Sequence, residues 1–369
     1  MSDSTRALFD QFPRLRETLP HVFLAEMPTP IERLERLAEA VGAGALYIKR
    51  DDLSAREYGG NKVRKLEFLL ADALRQGARE VMTFGCAGSN HATATAIYAR
   101  QLGLHAISML LPQPNAHSVR RNLLMSHRHG AEIHLYKNAR GVSAGVILQQ
   151  MRHRIMTGRK PCVIPAGGSS ALGTAGYVNA AFELRGQIEK RLMPEPDRIY
   201  VAAGTCGTAA GLMLGLRAAG LRTQVIPVRV TAESFVNVTR ILGLIEETNA
   251  LLHKSDASFP LVRFEEADVS LRHDCYGEQY ALYTRESVEA VRLMRDTQGI
   301  PIEGTYTGKA CAALIADARQ GLIGAKTVIF WNTYNSRDFS REIADIDYHD
   351  LPDACHSYFE DDVQPLDRR

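Results

Sequence analysis

The chain has 369 residues, with 44 lysines and arginines against 42 aspartates and glutamates and a formal net charge of +2. That length buries a substantial core in one large domain or two, and a balance without polybasic or acidic tails excludes nucleic acid and membrane surfaces as expected partners. The six cysteines are scattered without CxxC pairs, so they read as reduced thiols with no metal site; with no long apolar stretch, the expected location is cytoplasmic.

Residues 1 to 27 are expected to form an N-terminal arm, because Pro13 and Pro20 interrupt any helix. Thr29-Pro30-Ile31, followed by Leu34, Leu37, Ala40 and Val41, predicts a short helix opened by a proline near its first turn. Leu46 to Lys49 predicts a strand, closed by Arg50-Asp51-Asp52. Gly59-Gly60 then allows a tight turn, and Leu66, Leu69, Leu70, Ala73 and Leu74 recur at the spacing of one buried helix face. Lys62 stands on the opening turn of that helix. The exposed N–H groups there disfavour a second positive charge, so its amine is either a low-titrating nucleophile suited to a Schiff base or an ordinary surface lysine.

Strands and helices alternate from there on. Strands are predicted at 80–84, 105–111, 132–136, 162–165, 198–203, 224–230 and 327–331. The intervening helices fall at 92–102, 119–129, 142–156, 171–190, 208–219, 235–252, 285–298 and 308–319. Such an α/β pattern implies parallel-rich twisted sheets covered by helices on both faces, in two lobes. The partition expected is 1–64 with 176–369 as a large cofactor-binding domain and 65–175 as a small one. Ligands in such sheets sit at the carboxyl ends of the strands, which marks Gly85 to His91, Ala166 to Ser170, Ala203 to Thr208 and Thr333 to Ser336 as candidate loops.

Gly204-Thr205-Cys206-Gly207-Thr208-Ala209-Ala210-Gly211 follows a strand and opens a helix. Its small residues leave backbone N–H groups bare at a positive helix end, which suits a phosphate, or the run is merely a tight strand–helix turn. In Gly85 to His91, Ser89 and Asn90 either cap the next helix or offer a hydroxyl and an amide to a ligand. Tyr276-Gly277 and Glu303-Gly304-Thr305-Tyr306-Thr307-Gly308-Lys309 are similarly open: Thr307 is a cap or a ligand contact, Tyr306 a core aromatic or a site phenol.

Taken together, Tyr47 to Leu53, Gly60-Asn61-Lys62-Val63-Arg64-Lys65-Leu66-Glu67-Phe68-Leu69, Gly88-Ser89-Asn90-His91, Gly207-Thr208, Tyr276-Gly277 and Tyr306 to Lys309 resemble the D-cysteine desulfhydrase and 1-aminocyclopropane-1-carboxylate deaminase family. These are pyridoxal-phosphate enzymes of fold type II, with a tryptophan-synthase-β-like fold. The likeness runs from about residue 28 to 340, and the Asn-Lys-x-Arg-Lys-Leu-Glu run is its specific part. It implies that Lys62 forms the Schiff base with pyridoxal 5'-phosphate, that Asn90 partners the cofactor's phenolic oxygen, and that Thr205, Cys206, Gly207 and Thr208 hold its phosphate with Lys65 nearby. By the same resemblance Ser89 meets the substrate carboxylate or helps move protons, Tyr276 and Tyr306 are active-site tyrosines, and Thr307 faces the pyridine nitrogen.

A glutamate at the position of Thr307 marks the ring-opening deaminases; a threonine there favours α,β-elimination from a small amino acid, giving pyruvate, ammonia and sulfide. Two departures flank the substrate side. Glu303-Gly304-Thr305 replaces the family's Asp-Pro-Val, and Glu278-Gln279-Tyr280-Ala281 replaces a proline-containing stretch. A cysteate sulfo-lyase and a cyclopropane deaminase are the enzymatic alternatives, and a non-catalytic nucleotide-binding α/β protein is the rival of another class. A homodimer is implied by the resemblance alone.

Overall fold

The computed structural model describes residues 6–368. Two short helices come first, α1 (Ala7–Gln11) and α2 (Pro13–Thr18), so the expected arm is helical. The helical run does break at Phe12, directly before Pro13, which then opens α2, where a missing N–H leaves no bond unmade. Next come β1 (Ile31–Arg33), α3 (Glu35–Val41) and β2 (Ala45–Lys49). The proline-led helix expected from Thr29 therefore begins only at Glu35, because Ile31–Arg33 pairs antiparallel with β2 and spends its backbone groups on that ladder.

The alternation continues with α4 (Asn61–Arg75), β3 (Glu80–Cys86), α5 (Asn90–Gln101), β4 (His105–Leu111), α6 (His117–Arg128), β5 (Glu132–Leu135), α7 (Ala139–Thr157) and β6 (Cys162–Ile164). It then runs through α8 (Ala171–Glu189), β7 (Arg198–Ala203), α9 (Gly207–Ala218), β8 (Gln224–Arg229), α10 (Val238–Ser255), α11 (Arg285–Gln298), α12 (Thr307–Arg319) and β9 (Thr327–Trp331). A last short helix, α13, covers Ser357–Glu360. Leu74, expected on the buried face of α4, is 37% exposed; the helix end carrying it has left the core. Among the described residues no helix is long and apolar enough to cross a membrane.

Two sheets result, with strand orders β1-β2-β9-β7-β8 and β5-β4-β3-β6, parallel throughout except at β1. Side chains alternate across the larger sheet, and both faces are apolar. Ile199, Val201 and Ala203 turn with Ile329 and Trp331 towards α8, α9 and α10. Leu46, Ile48, Tyr200, Ala202, Val328 and Phe330 turn the other way, towards α3, α11 and α12. In the smaller sheet Met82, Ile107 and Met109 form a cluster joined by Val142 and Val146 of α7.

The chain divides into two compact units. One comprises the chain up to Phe68 with Ser169–Ser336; the other comprises Leu69–Gly168 with the segment from Arg337 onward. The sequence-based partition kept that last segment with the larger domain. In the structure its contacts run to the second unit: Asn115 donates to the carbonyls of Tyr358 and Asp361, at 2.9 and 3.0 Å, and Arg120 Nε donates to that of Tyr358 at 2.7 Å.

Within the first unit a buried ionic cluster fixes the start of α4. Arg64 donates to Asp51 at 2.6 Å and to Glu183 at 2.9 Å, and Lys49 bonds to Glu183, Gln187 and the Thr29 carbonyl. Asp51 also accepts from the Tyr177 hydroxyl at 2.6 Å and from Trp331 Nε1 at 2.7 Å. Gly176 lets α8 press on this turn, since a Cβ there would lie 2.1 Å from the Arg64 carbonyl oxygen. Removing one partner of such a cluster leaves buried charge unmatched. Arg64→Leu is therefore expected to destabilise the fold by about 3–5 kcal/mol, read as a lowered urea midpoint; an unchanged midpoint would contradict the role given to the cluster.

Candidate active site

In the first unit the parallel strands β2, β9, β7 and β8 deliver their carboxyl ends to one edge of the sheet, and the chain turns that follow carry the polar groups. Gly60 has φ +92°, and a Cβ on it would meet the Thr333 carbonyl oxygen at 2.8 Å, so only glycine fits. The next residue, Asn61, donates its backbone N–H to that same carbonyl at 3.1 Å. The start of α4 is thus pinned to the loop after β9.

Lys62 follows at once. It is partly reached by solvent, yet protein atoms crowd its amine, and burial pushes its pKa down to about 8. The lowering was expected from the positive helix end; the physical cause is desolvation instead. Among the described residues Lys62 Nζ has no hydrogen-bond or ion-pair partner. Its neighbours on either side are engaged: Asn61 Nδ2 donates to Thr208 Oγ1 at 3.1 Å, and Lys65 Nζ donates to Ser169 Oγ at 3.3 Å.

Those two contacts lead to the glycine loop. Cys206 adopts the left-handed conformation (φ 69°) and caps α9. The Gly207 N–H then reaches Ser169 Oγ at 3.2 Å, and Ser169 Oγ lies 2.7 Å from Thr205 Oγ1. A Cβ at Gly207 would sit 2.6 Å from Ser169 Oγ and 2.9 Å from Lys65 Nζ, so the bare backbone is what lets the cation approach. Burial, reinforced by Lys62, holds the Lys65 pKa well below the usual lysine value. A helix N-terminus, hydroxyls from Thr205, Thr208 and Ser169, and a buried cation make a cradle that fits a phosphate. Ser169 was not singled out in the sequence; the signal available was its place in the loop after β6.

Tyr306 precedes α12 and packs on the same loop, its Cε1 3.6 Å from where a Cβ on Gly204 would be. Glu303 caps that helix, its carboxylate accepting from the backbone N–H groups of Thr305 (2.7 Å), Tyr306 (2.8 Å) and Thr307 (2.9 Å). Thr307 is fully buried, and its hydroxyl lies 3.3 Å from Glu303 Oε1 while accepting from the Glu303 N–H at 3.0 Å. The helix cap is therefore Glu303, a residue the sequence reading treated only as a departure from the family's pattern. Tyr276 has the Arg229 guanidinium 4.5 Å and the Lys309 amine 5.5 Å from its ring centre, and burial pushes the Lys309 pKa down to about 8. Tyr280, also not chosen from sequence, hydrogen-bonds through its hydroxyl to that of Tyr306.

Ser89 and Asn90 belong to the second unit. Ser89 is the N-cap of α5, its Oγ accepting from the Ala92 N–H at 3.2 Å. Asn90 Oδ1 accepts from Asn122 Nδ2 at 2.9 Å, which orients the amide.

The profile of a family described as pyridoxal-phosphate dependent enzyme matches residues 22–333. A putative 1-aminocyclopropane-1-carboxylate deaminase of Pyrococcus horikoshii is 38% identical over 317 residues, 85% of this chain and 91% of its own. A D-cysteine desulfhydrase of Serratia proteamaculans is 35% identical over 315 residues, 84% of this chain and 89% of its own. The crystal structure of an ACC deaminase homologue, 33% identical, superposes with a TM-score of 0.76 over 92% of this chain and 99% of the other. The processed form of threonine deaminase isoform 2 from Solanum lycopersicum shares the fold, with a TM-score of 0.60 and 17% identity over 93% of this chain and 88% of its own.

The crowding around Lys62 has a direct chemical consequence. In cofactor-free protein its rate of acylation should rise with pH through a midpoint at about 8, whereas ordinary lysines follow one at about 10.4. Peptide mapping across pH reads the two classes separately, and a Lys62 midpoint with the ordinary lysines would contradict the desolvation argument.

Proposed function

Because the chain belongs to the pyridoxal-phosphate-dependent enzymes, we propose that it is a lyase catalysing α,β-elimination on a small amino acid of the D-cysteine type, with pyruvate, ammonia and sulfide as products. The observation that carries the reading is the placement of Lys62: a readily neutralised amine, without a partner among the described residues, between two residues, Asn61 and Lys65, that both reach the phosphate cradle.

When bound, pyridoxal phosphate draws electrons from the substrate's Cα and so weakens the bonds to the α-hydrogen and to a leaving group on Cβ. Lys62 would hold the cofactor through its aldehyde carbon and would accept the α-proton, since its amine spends a usable fraction of time neutral near pH 8. Lys65, Ser169, Thr205, Cys206, Gly207 and Thr208 would hold the phosphate. Tyr306 or Tyr276 gives a proton to the departing group. Ser89 and Asn90 carry the substrate-carboxylate and cofactor-oxygen contacts that the resemblance assigns them, and Thr307 the contact to the ring nitrogen.

Elimination is preferred to opening of a cyclopropane ring because Thr307 offers a neutral hydroxyl where a carboxylate would keep the ring nitrogen protonated. A homodimer in the cytoplasm completes the reading, on the same resemblance.

A substrate panel tests it. Pyruvate and sulfide should form from D-cysteine faster than pyruvate forms from L-cysteine, cysteate or serine, and faster than the cyclopropane amino acid yields its ketoacid. Lys62→Ala should remove turnover with every compound. A panel led by the cyclopropane amino acid would reverse the assignment, and a Lys62→Ala protein with wild-type turnover would end it.

A further inference from the structure

The stretch Glu278-Gln279-Tyr280-Ala281 departs from the family's pattern, and it also holds unusual backbone. Ala281 is fully buried and lies in the left-handed region at φ 62°, a conformation that an alanine keeps only where its surroundings impose it. Directly before it stands Tyr280, whose hydroxyl is hydrogen-bonded to the Tyr306 hydroxyl with the two rings edge to face, 6.2 Å between centres. On the other side Tyr283 fills the space over Gly304, where a Cβ would lie 2.8 Å from the ring. Gly304, in one departure, makes room for Tyr283, two residues beyond the other, and the turn so anchored carries Tyr280 onto Tyr306.

We propose that Tyr280 is a positioning residue for proton delivery, and that Tyr280 and Tyr306 work as a phenol pair. The proposal rests on the elimination reading above. As the bond from Cβ to the leaving sulfur breaks, its electron pair departs with the sulfur. The Tyr306 O–H then gives its proton to that sulfur. Tyr306 is left as a phenolate, and the Tyr280 O–H donates to its oxygen until solvent, which reaches both half-buried side chains, returns the proton. A phenol whose conjugate base is already solvated by a second phenol ionises more readily than one alone.

Charged groups lie on the neighbouring segments. Glu303 is occupied by three backbone N–H groups, and Arg229 and Lys309 flank the ring of Tyr276. On the opposite side Tyr306 meets the uncharged Gly204 of the glycine loop.

Tyr280→Phe keeps the ring and removes the hydroxyl, so two readouts separate positioning from packing. Phenolate absorbance, taken as the difference between each protein and its Tyr306→Phe counterpart, should place Tyr306 below the free-phenol value of about 10 in the parent chain and at or above it in Tyr280→Phe. In the loaded enzyme kcat for D-cysteine should fall about tenfold with KM little changed, a fraction of what losing a general acid itself costs. With β-chloro-D-alanine, whose chloride leaves without a proton, kcat should change less than about twofold by the same logic. Equal losses on both substrates, or a Tyr306 ionisation that Tyr280→Phe does not move, would overturn the proposal. If the parent enzyme turns over neither compound, it is the elimination reading that fails, and the absorbance titration still decides whether the phenols are paired.

Discussion

The first unit depends on a charge-neutral cluster sealed beneath the start of α4: two cations, Lys49 and Arg64, against two carboxylates, Asp51 and Glu183. Burying four charges is costly, several kcal/mol per ion before pairing. It is tolerated because nearly every polar atom finds a partner, among them the Tyr177 hydroxyl and the Trp331 N–H on Asp51 and the Thr29 backbone N–H on Glu183. Burial opposes ionisation of Glu183, yet Arg64 and Lys49 hold its carboxyl well below the usual carboxylate range. Arg64 is two residues from Lys62 on the same helix. The rigidity of the cluster therefore becomes the fixed position of the reactive amine.

Lysines of one unit end in different chemical states for identifiable reasons. Lys49 is buried against a carboxylate, Lys65 against Ser169 of the loop after β6, and Lys62, among the described residues, against no group that would hold its proton. Lys309 donates to the Tyr276 carbonyl at 2.6 Å and flanks that ring. Neither Lys62 nor Lys65 has its burial offset by a carboxylate, but Lys65 is hydrogen-bonded to Ser169, whereas among the described residues Lys62 Nζ has no hydrogen-bond or ion-pair partner.

Most of the fold was legible because it is written locally. Apolar runs such as Val81-Met82 and Ile199-Tyr200-Val201 in the strands, and the periodic faces between them, place β4, β7, α11 and β9 at the bounds predicted. What escaped depends on partners distant in the chain. Ile31–Arg33 is a strand only because β2 offers an open edge. Leu74 follows the apolar period but lies where α4 leaves its core. The cause of the low Lys62 pKa was misassigned since helix position is visible in a sequence and crowding by distant residues is not. Ser169, Tyr280 and Glu303 matter through contacts made by folding, and their residue types alone single out none of them.

The proposed function comes down to one covalent bond, between the Lys62 amine and the aldehyde of pyridoxal phosphate. Its most direct test is borohydride reduction of the protein loaded with pyridoxal phosphate, followed by proteolysis and mass spectrometry of the modified peptide. The account predicts a single reduced pyridoxyl group, carried by Lys62. A pyridoxyl group on Lys49, Lys65 or Lys309, or none at all, would contradict it.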